Sequence, residues 1–476
     1  MSFARAVFWN TIIQTIGRGV STALGLVFLA VMTRALGPDG FGGFSIVIAF
    51  LQFFGIIVDF GLTLTANRML GEAKEKQDDE HLMSNLMTMR FLSALVFLGL
   101  APIITASFFP YSVAIKQGII IGALSFLAII MTQTLVPVLQ KNLRMGRVVV
   151  AELVGRLVLL VGVGLAAWFK LGMLWFVAVV VVGSLVNYFC LKLLARPFVR
   201  LGWSFDFNLW RKIIVTSWPI GISIIFNLVY LKADMIILSV LRPAAEIGFY
   251  GAAYRVLDIL TGLATMFMGL VLPAMTAAWI ATDREKFRRL FQGSFDVMTF
   301  VALPVILFGV LLGRPLMILV AGSDFAMAGD ILAILIIAMG AVFFSTLFGH
   351  IVVVLNKQKP MIWGYAITAV LSLAAYAILI PRFGIWGAAW GTVFSEALIV
   401  VITSVVVVKT SRMAPSLRNF GKTLLSIFVA GVIVLFSRDA SWILAGIFGI
   451  ISYITLLCLT QAVTKETVKE ILKLKT

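Results

Sequence analysis

The chain has 476 residues, of which 61% are hydrophobic and only 12% are charged, and its mean hydropathy is +1.09. A soluble protein carries about 25% charged residues, so this composition excludes a soluble globular protein. The apolar residues form long runs rather than short alternating segments, which predicts an all-α polytopic membrane protein. The net charge of +17 lies mostly in the segments between these runs, which indicates a membrane topology and not nucleic-acid binding.

Windows of about 20 apolar residues predict about fourteen membrane spans. They cover residues 8–31, 41–64, 91–109, 117–137, 149–169, 172–191, 213–240, 249–279, 291–312, 328–355, 361–380, 384–408, 423–437 and 441–462. With the amino terminus inside, the inside segments, including the one that contains Arg68 and Arg90, hold roughly four times as many Lys and Arg residues as the outside segments. This positive-inside bias predicts a multi-pass protein of the cell membrane with both termini in the cytoplasm. In the polar insert after span 2, residues 82–87 predict a short helix at the inner membrane surface.

Two segments, one after span 1 and one after span 7, resemble each other. Residues 36–44 read LGPDGFGGF and residues 241–249 read LRPAAEIGF, with Leu, Pro, Gly and Phe at matching positions. Shorter matches follow in the same order, pairing residues 140–141 with 356–357 and residues 170–172 with 382–384. Each copy contains six spans and starts on the same side, so the repeat predicts two parallel six-helix bundles.

The repeat also predicts the domain boundaries. Residues 1–200 form the first six-helix bundle and residues 201–410 the second. Residues 411–476 add two C-terminal membrane helices and a cytoplasmic tail. Two bundles of this kind are typical of a transporter with its site near the middle of the membrane.

The junction of spans 1 and 2, which reads TRALGPDGFG over residues 33–42, resembles a signature of the multidrug/oligosaccharidyl-lipid/polysaccharide (MOP) exporter superfamily. The sequence FGIWGAA over residues 383–389 supports this resemblance. Over most of residues 1–410 the chain is similar to the Wzx-type polysaccharide flippases.

The resemblance implies a flippase that moves a polyprenyl-diphosphate-linked oligosaccharide from the cytoplasmic to the outer leaflet by alternating access. It implies no enzymatic reaction and no cofactor other than a coupling ion, proton or sodium. The implied partners are the anionic lipid-linked glycan, membrane lipids and polysaccharide polymerase machinery.

Span 1 carries a polar stripe that is costly in lipid. Asn10, Gln14 and Arg18 are four residues apart, so they share one face of a helix. A cation near the middle of a span costs about 3 kcal/mol on insertion scales, so this face is expected to line a water-filled cavity. An arginine stays charged and offers a fork of donors to a diphosphate. All three residues are therefore candidates for substrate binding, with a structural ion pair as the alternative for Arg18.

Two further arginines lie within predicted spans beside acidic residues. Arg255 in span 8 is a second candidate for the diphosphate, but Asp258 follows three residues later and could neutralise it. Arg156 in span 5 follows Glu152 by four residues, and a helix-supporting ion pair is the favoured interpretation.

Span 7 has its own polar stripe, in which Asn227 and Tyr230 are candidates for substrate binding. Lys232 lies off this face and is a further candidate. Lys232 and Asp234 are near the predicted outer end, so a side chain that reaches the membrane surface is the alternative for both.

Four acidic residues within predicted spans are candidates for ion coupling: Glu396, Asp59, Asp234 and Asp258. Glu396 is the nearest to the middle of the membrane, where a carboxyl group without water readily keeps a proton. Neither Glu396 nor Asp59 has an evident partner nearby in sequence. The alternative for Glu396 is an ion pair with a cation on another helix.

Other functions are compatible with parts of this pattern. A flippase of a peptidoglycan lipid precursor needs cations for the same diphosphate. A cation-coupled multidrug exporter of the same superfamily would move organic cations, which Arg18 would repel. A membrane glycosyltransferase or polymerase would need a sizeable loop with carboxylates, and the predicted outer loops are short. The few His and Cys residues predict no metal cluster.

Overall fold

The computed structural model describes residues 3–72 and 76–462, and places side chains for residues 13–14, 16–70 and 78–462. In this part of the chain the α-helices are α1 (Phe3–Asp59), α2 (Leu62–Glu72), α3 (Lys76–Phe108), α4 (Val113–Lys141), α5 (Met145–Trp168), α6 (Met173–Ala195), α7 (Phe207–Leu241), α8 (Ala244–Ile280), α9 (Arg284–Ala321), α10 (Ala326–Val354), α11 (Gln358–Phe383), α12 (Ile385–Ser411), α13 (Arg418–Ser437) and α14 (Trp442–Leu459). Thirteen helices in the described ranges are long and apolar enough to cross a membrane. The predicted all-α polytopic membrane fold is confirmed.

Helix α1 contains both of the first two predicted spans. Its 57 residues are interrupted at Gly37, where φ is 63° and ψ is −178°. Glycine adopts a positive φ without a steric penalty, and Pro38 then starts the second segment without needing a backbone donor. Each segment is long enough for one crossing of about 20 residues, so the thirteen helices provide about fourteen crossings.

The short helix lies earlier in the chain than the sequence predicts. Residues 82–87 belong to α3 and are mostly buried, so the predicted surface helix there is wrong. The short helix is α2, which follows a turn at Phe60 and Gly61, where φ is 38° and 75°. Its apolar residues pack against residues 82–89 of α3. The hydropathy window merged the start of α2 with span 2 because both are apolar, and residues 73–75 of the insert lie outside the described residues.

The chain divides into two compact units, Met1–Gly251 and Ala252–Thr476, with the division inside α8. In the first unit α1 packs against α3, α4, α5, α6 and α7, and α6 packs against α4 and α5. In the second unit α10 packs against α9 and α12, α11 packs against α12, and α13 and α14 pack against each other and against α9. The six-helix bundles over residues 1–200 and 201–410 stay a prediction.

The two repeated segments meet inside the first unit. A Cβ atom on Gly42 would overlap the carbonyl oxygen of Ala244, and one on Gly248 would overlap the carbonyl oxygen of Pro38. The backbones of α1 and α8 therefore touch directly, and both glycines are needed for this close approach.

The Gly42→Ala variant is expected to be less stable than the wild type by about 1–3 kcal/mol, because the added methyl group has to displace backbone. The measurement is the melting temperature of the detergent-purified protein. Size-exclusion chromatography of heated samples reports the fraction that stays folded at each temperature. Gly99→Ala in α3 is the matched control, since nothing lies within 4 Å of its added Cβ atom. Equal melting temperatures for the two variants would contradict the close contact.

An extended linker joins α6 to α7 and lies along α3. Four linker N–H groups donate to side chains of α3: Arg200 to Glu80 (3.1 Å), Gly202 to Ser84 (3.2 Å), Ser204 to Thr88 (3.1 Å) and Asp206 to Asn85 (2.7 Å). Two residues of extended chain advance about 6.6 Å, and four residues of helix advance about 6 Å. This near-equality lets the amides of Arg200, Gly202 and Ser204 find acceptors one helical turn apart on α3. The amide of Asp206 departs from this progression, because it returns to Asn85.

Asn85 and Asp206 fix the end of this linker. Asn85 is fully buried, and its side-chain oxygen also accepts a hydrogen bond from the Trp210 indole at 3.0 Å. Asp206 caps the N-terminus of α7 by accepting from the N–H groups of Asn208 and Leu209, both at 3.0 Å. The Leu209 hydrogen bond, followed by the hydrogen bond from His81, lowers the pKa of the Asp206 carboxyl group below its usual value.

Candidate functional site

The predicted polar stripe of span 1 lies on α1, as a continuous helix through residues 10–18 requires. Arg18 is exposed and Gln14 is half-buried, whereas the side chain of Asn10 lies outside the described residues. Among the side chains that the structure describes, none forms an ion pair with Arg18. The side chain of Arg18 is thus exposed on the described part of the chain, and its role in binding stays a prediction.

An ion pair joins the end of α1 to α3, between a fully buried arginine and an aspartate that keeps 21% of its side chain exposed. The side chain of Arg90 has no exposed surface, and its Nη2 atom lies 2.5 Å from Oδ1 of Asp59. Nη2 also donates to the Thr63 hydroxyl group at 2.7 Å, and Nη1 donates to the Thr134 hydroxyl group at 3.1 Å. The Thr63 hydroxyl group donates to Asp59 at 2.6 Å. One guanidinium group therefore ties α1, α2, α3 and α4 together.

This cluster corrects one expectation. The sequence predicts Arg90 among the cations of an inside segment, but it lies within α3 and is buried. Asp59 has no evident partner nearby in sequence, and the structure supplies a cationic one 31 residues away. A role for Asp59 in coupling stays a prediction. Its carboxylate would have to act while it is paired with Arg90.

The polar stripe of span 7 is hydrogen-bonded along its helix, α7. The Asn227 amide donates to the Tyr230 hydroxyl group at 2.7 Å. Asp234 is fully buried and accepts a hydrogen bond of 2.5 Å from Tyr250, which is also fully buried, on α8. The alternative in which Asp234 reaches the membrane surface is therefore wrong. Lys232 is half-buried on the same helix.

Both pairs expected from helical spacing form. Arg156 Nε lies 3.1 Å from Glu152 Oε1 in α5, which confirms the helix-supporting pair. Arg255 Nη1 lies 4.0 Å from Asp258 Oδ2 in α8, and these two side chains keep 41% and 47% of their surface exposed. An ion pair this long and this exposed contributes little to stability. Asp258 therefore holds Arg255 only loosely.

Glu396 lies on α12 and keeps only 2% of its surface exposed. Its carboxyl group is hydrogen-bonded to Ser345 of α10. The adjacent Ser395 contacts the Tyr376 hydroxyl group of α11 at 3.0 Å. Within residues 78–462 no cation pairs with Glu396, so the predicted alternative of an ion pair across helices is not found there. Its role in coupling stays a prediction.

Sequence reasoning missed the partners that complete these groups. Arg90, Tyr250 and Ser345 lie 31, 16 and 51 residues from the acids that they contact. No helical spacing connects residues so far apart, because periodicity reports only neighbours within one helix. The sequence offered one signal for the Arg90 contact. Arg90 is a charged residue that directly precedes a predicted span beginning at residue 91, where a nearby acid could pair with it.

Comparisons with known proteins agree with this architecture. A family model described as "Polysaccharide biosynthesis protein" matches residues 5–279, which is more than half of the chain. The probable low-salt glycan biosynthesis flippase Agl15 of Haloferax volcanii is 24% identical over 100% of this chain and 99% of the relative. The succinoglycan biosynthesis transport protein ExoT of Rhizobium meliloti is 24% identical over 78% of this chain and 73% of the relative.

Solved structures show the same fold. The lipid II flippase MurJ in an inward closed conformation has a TM-score of 0.81 at 14% identity, covering 94% of this chain and 98% of that one. An inward-facing multidrug resistance transporter of the MATE family has a TM-score of 0.62 at 12% identity, covering 86% and 98%. Together with the family match, these results confirm the resemblance that residues 33–42 predict. The chain is a multi-pass membrane protein of the MOP superfamily and belongs to its polysaccharide biosynthesis protein family.

Proposed function

We propose that this protein is a flippase that moves a polyprenyl-diphosphate-linked oligosaccharide from the cytoplasmic to the outer leaflet for polysaccharide biosynthesis. The observation that carries the proposal is the end-to-end similarity to a probable glycan biosynthesis flippase, over 100% of this chain and 99% of the relative. The similarity to ExoT, which is named as a succinoglycan biosynthesis transport protein, supports the same substrate class.

The diphosphate of such a substrate has to cross a layer of low dielectric constant, where an uncompensated charge is expensive. Arg18 suits this task because it is an exposed arginine within an apolar helix. An arginine can hold two phosphate oxygens at once and cannot lose its charge. Arg18 therefore binds the diphosphate in a cationic cavity during alternating access.

The remaining candidates serve the same substrate in this proposal. Arg255 is a second diphosphate ligand, since its contact with Asp258 is loose. Four neutral polar residues offer hydrogen bonds to the sugar and phosphate oxygens: Asn10, Gln14, Asn227 and Tyr230. Lys232 adds a positive charge.

A peptidoglycan lipid precursor carries the same diphosphate and is the second candidate substrate. A multidrug exporter is less compatible, because an exposed arginine repels organic cations. Deleting the gene in its host separates these functions. The proposal expects lipid-linked oligosaccharide to accumulate on the cytoplasmic leaflet and the surface polysaccharide to disappear. Accumulation of the peptidoglycan precursor instead would assign the second substrate, and no accumulation of either lipid would contradict both.

Glu396 is proposed to couple transport to a proton gradient, because its carboxyl group is buried and, among the described side chains, contacts a hydroxyl group rather than a cation. The glutamine side chain of Glu396→Gln has nearly the same shape as glutamate and can keep the hydrogen bond with Ser345, but it cannot exchange a proton. The variant is expected to lose the dependence of transport on an imposed pH gradient. Glu152→Gln is the matched control, since Glu152 is half-exposed and paired with Arg156. An unchanged pH response in Glu396→Gln would exclude the coupling role.

A further inference from the structure

Helices α3, α4 and α6 of the first unit enclose a groove of about 250 Å³. Its walls are apolar, formed chiefly by Phe91 of α3, by Leu124, Leu127 and Met131 of α4, and by Phe189 of α6. Leu124 and Phe189 keep 47% and 54% of their surfaces exposed, so the groove opens on the outside of the helices. All three helices are long and apolar enough to cross a membrane, so lipid hydrocarbon is what meets this opening.

One charged side chain, Lys192, lines the groove. Its Nζ atom lies 5.8 Å from the centre of the Tyr188 ring, and the side chain is half-buried. Lys192 is in the last turn of α6, and the exposed Arg196 follows four residues later on the same side of the helix. The groove is thus apolar along its length and cationic at the end of α6.

The linker after α6 contributes one residue, Trp203, to the lining of the groove. The N–H groups of Gly202 and Ser204 are held by Ser84 and Thr88 of α3. Successive side chains of an extended segment point to opposite sides, so Trp203 projects away from this polar row. Its ring meets Phe91 edge-on, with centroids 5.1 Å apart, and it lines the groove.

We propose that this groove binds one acyl chain of an anionic phospholipid of the bilayer, with Lys192 contacting the phosphate of the headgroup. Ordinary boundary lipid would need neither a groove between helices nor a cation at its end. An anionic headgroup complements the basic segment that begins at Lys192. The indole of Trp203 suits the same depth, because tryptophan is enriched where headgroups meet hydrocarbon. Because Trp203 belongs to the linker between α6 and α7, the bound lipid holds that linker against α3.

The test is native mass spectrometry of the detergent-purified full chain, titrated separately with phosphatidylglycerol and phosphatidylcholine. The wild type is expected to retain one phosphatidylglycerol in preference to phosphatidylcholine. Lys192→Gln should weaken phosphatidylglycerol binding roughly fivefold, the effect of one cation near a membrane surface, and leave phosphatidylcholine binding unchanged. Lys170→Gln, in the loop between α5 and α6, is the matched control and should change neither.

A second variant tests the groove independently of charge. Leu124→Trp should fill it and reduce the binding of both lipids, whereas Leu165→Trp on the exposed face of α5 should not. Equal affinities for the two lipids in the wild type, or full binding by Leu124→Trp, would overturn the proposal. Displacement of phosphatidylglycerol by a polyprenyl phosphate at equal concentration would also overturn it, since the groove would then be a site for the isoprenoid tail. None of these outcomes depends on whether the protein transports a glycan.

Discussion

Replacing Arg18 by alanine is expected to reduce transport roughly 100-fold, to the background rate, while the protein still reaches the membrane. A 100-fold loss corresponds to about 2.7 kcal/mol, near the top of the range for a charge-assisted contact, here with the substrate diphosphate. Arg18 is exposed, so removing it leaves no buried partner unsatisfied among the described side chains. Folding should therefore be unaffected, and the measurement is the transport rate per membrane-inserted molecule.

Two further variants sharpen this prediction. Arg18→Lys keeps the charge but not the planar fork of donors, so it should retain only part of the rate. Arg438→Ala removes an exposed arginine that follows α13 and should leave the rate unchanged. Normal transport by Arg18→Ala would remove Arg18 from the substrate site.

The Arg90→Leu variant is expected to lower the free energy of unfolding by about 3 kcal/mol. This is the lower end of the usual cost of breaking a buried ion pair from one side, because the Asp59 left behind keeps 21% of its side chain exposed. The leucine leaves Asp59 without its counter-charge, and the hydroxyl groups of Thr63 and Thr134 lose their common donor. Denaturant unfolding in detergent micelles measures this loss.

The double variant Arg90→Leu with Asp59→Leu should recover most of the lost stability, because an apolar pair avoids the uncompensated charge. Arg156→Leu is the control for losing a half-exposed pair within one helix, which costs less than about 1 kcal/mol. If Arg90→Leu proved as stable as Arg156→Leu, the buried cluster would not hold α1, α2, α3 and α4 together.

The sequence predicts the membrane helices well, because each crossing needs its own run of apolar residues whatever its neighbours are. Two departures have local causes. Residues 3–59 form two helical segments that meet at a single non-helical residue, Gly37, so one helix range provides two crossings. Helix α2 was merged with span 2, because the turn at Phe60 and Gly61 interrupts no apolar run.

The candidate site was predictable only within single helices. The spacing of Arg156 and Glu152 predicts their contact, and the pair forms at 3.1 Å. The burial of Arg90 and Asp234 was not predictable, because both depend on partners from other helices. The hydrogen bonds from the linker to α3 were equally hidden, since residues 200–206 show neither helical nor strand periodicity.

The rate of substrate transfer across a reconstituted bilayer tests the central claim most directly. Purified protein is placed in vesicles that contain a fluorescent polyprenyl-diphosphate oligosaccharide, and a membrane-impermeant glycosidase reports how fast the glycan appears at the opposite leaflet. Wild-type protein should expose the glycan far faster than protein-free vesicles or vesicles with Arg18→Ala. Exposure no faster than in protein-free vesicles, in either direction and with a pH or sodium gradient imposed, would contradict the account.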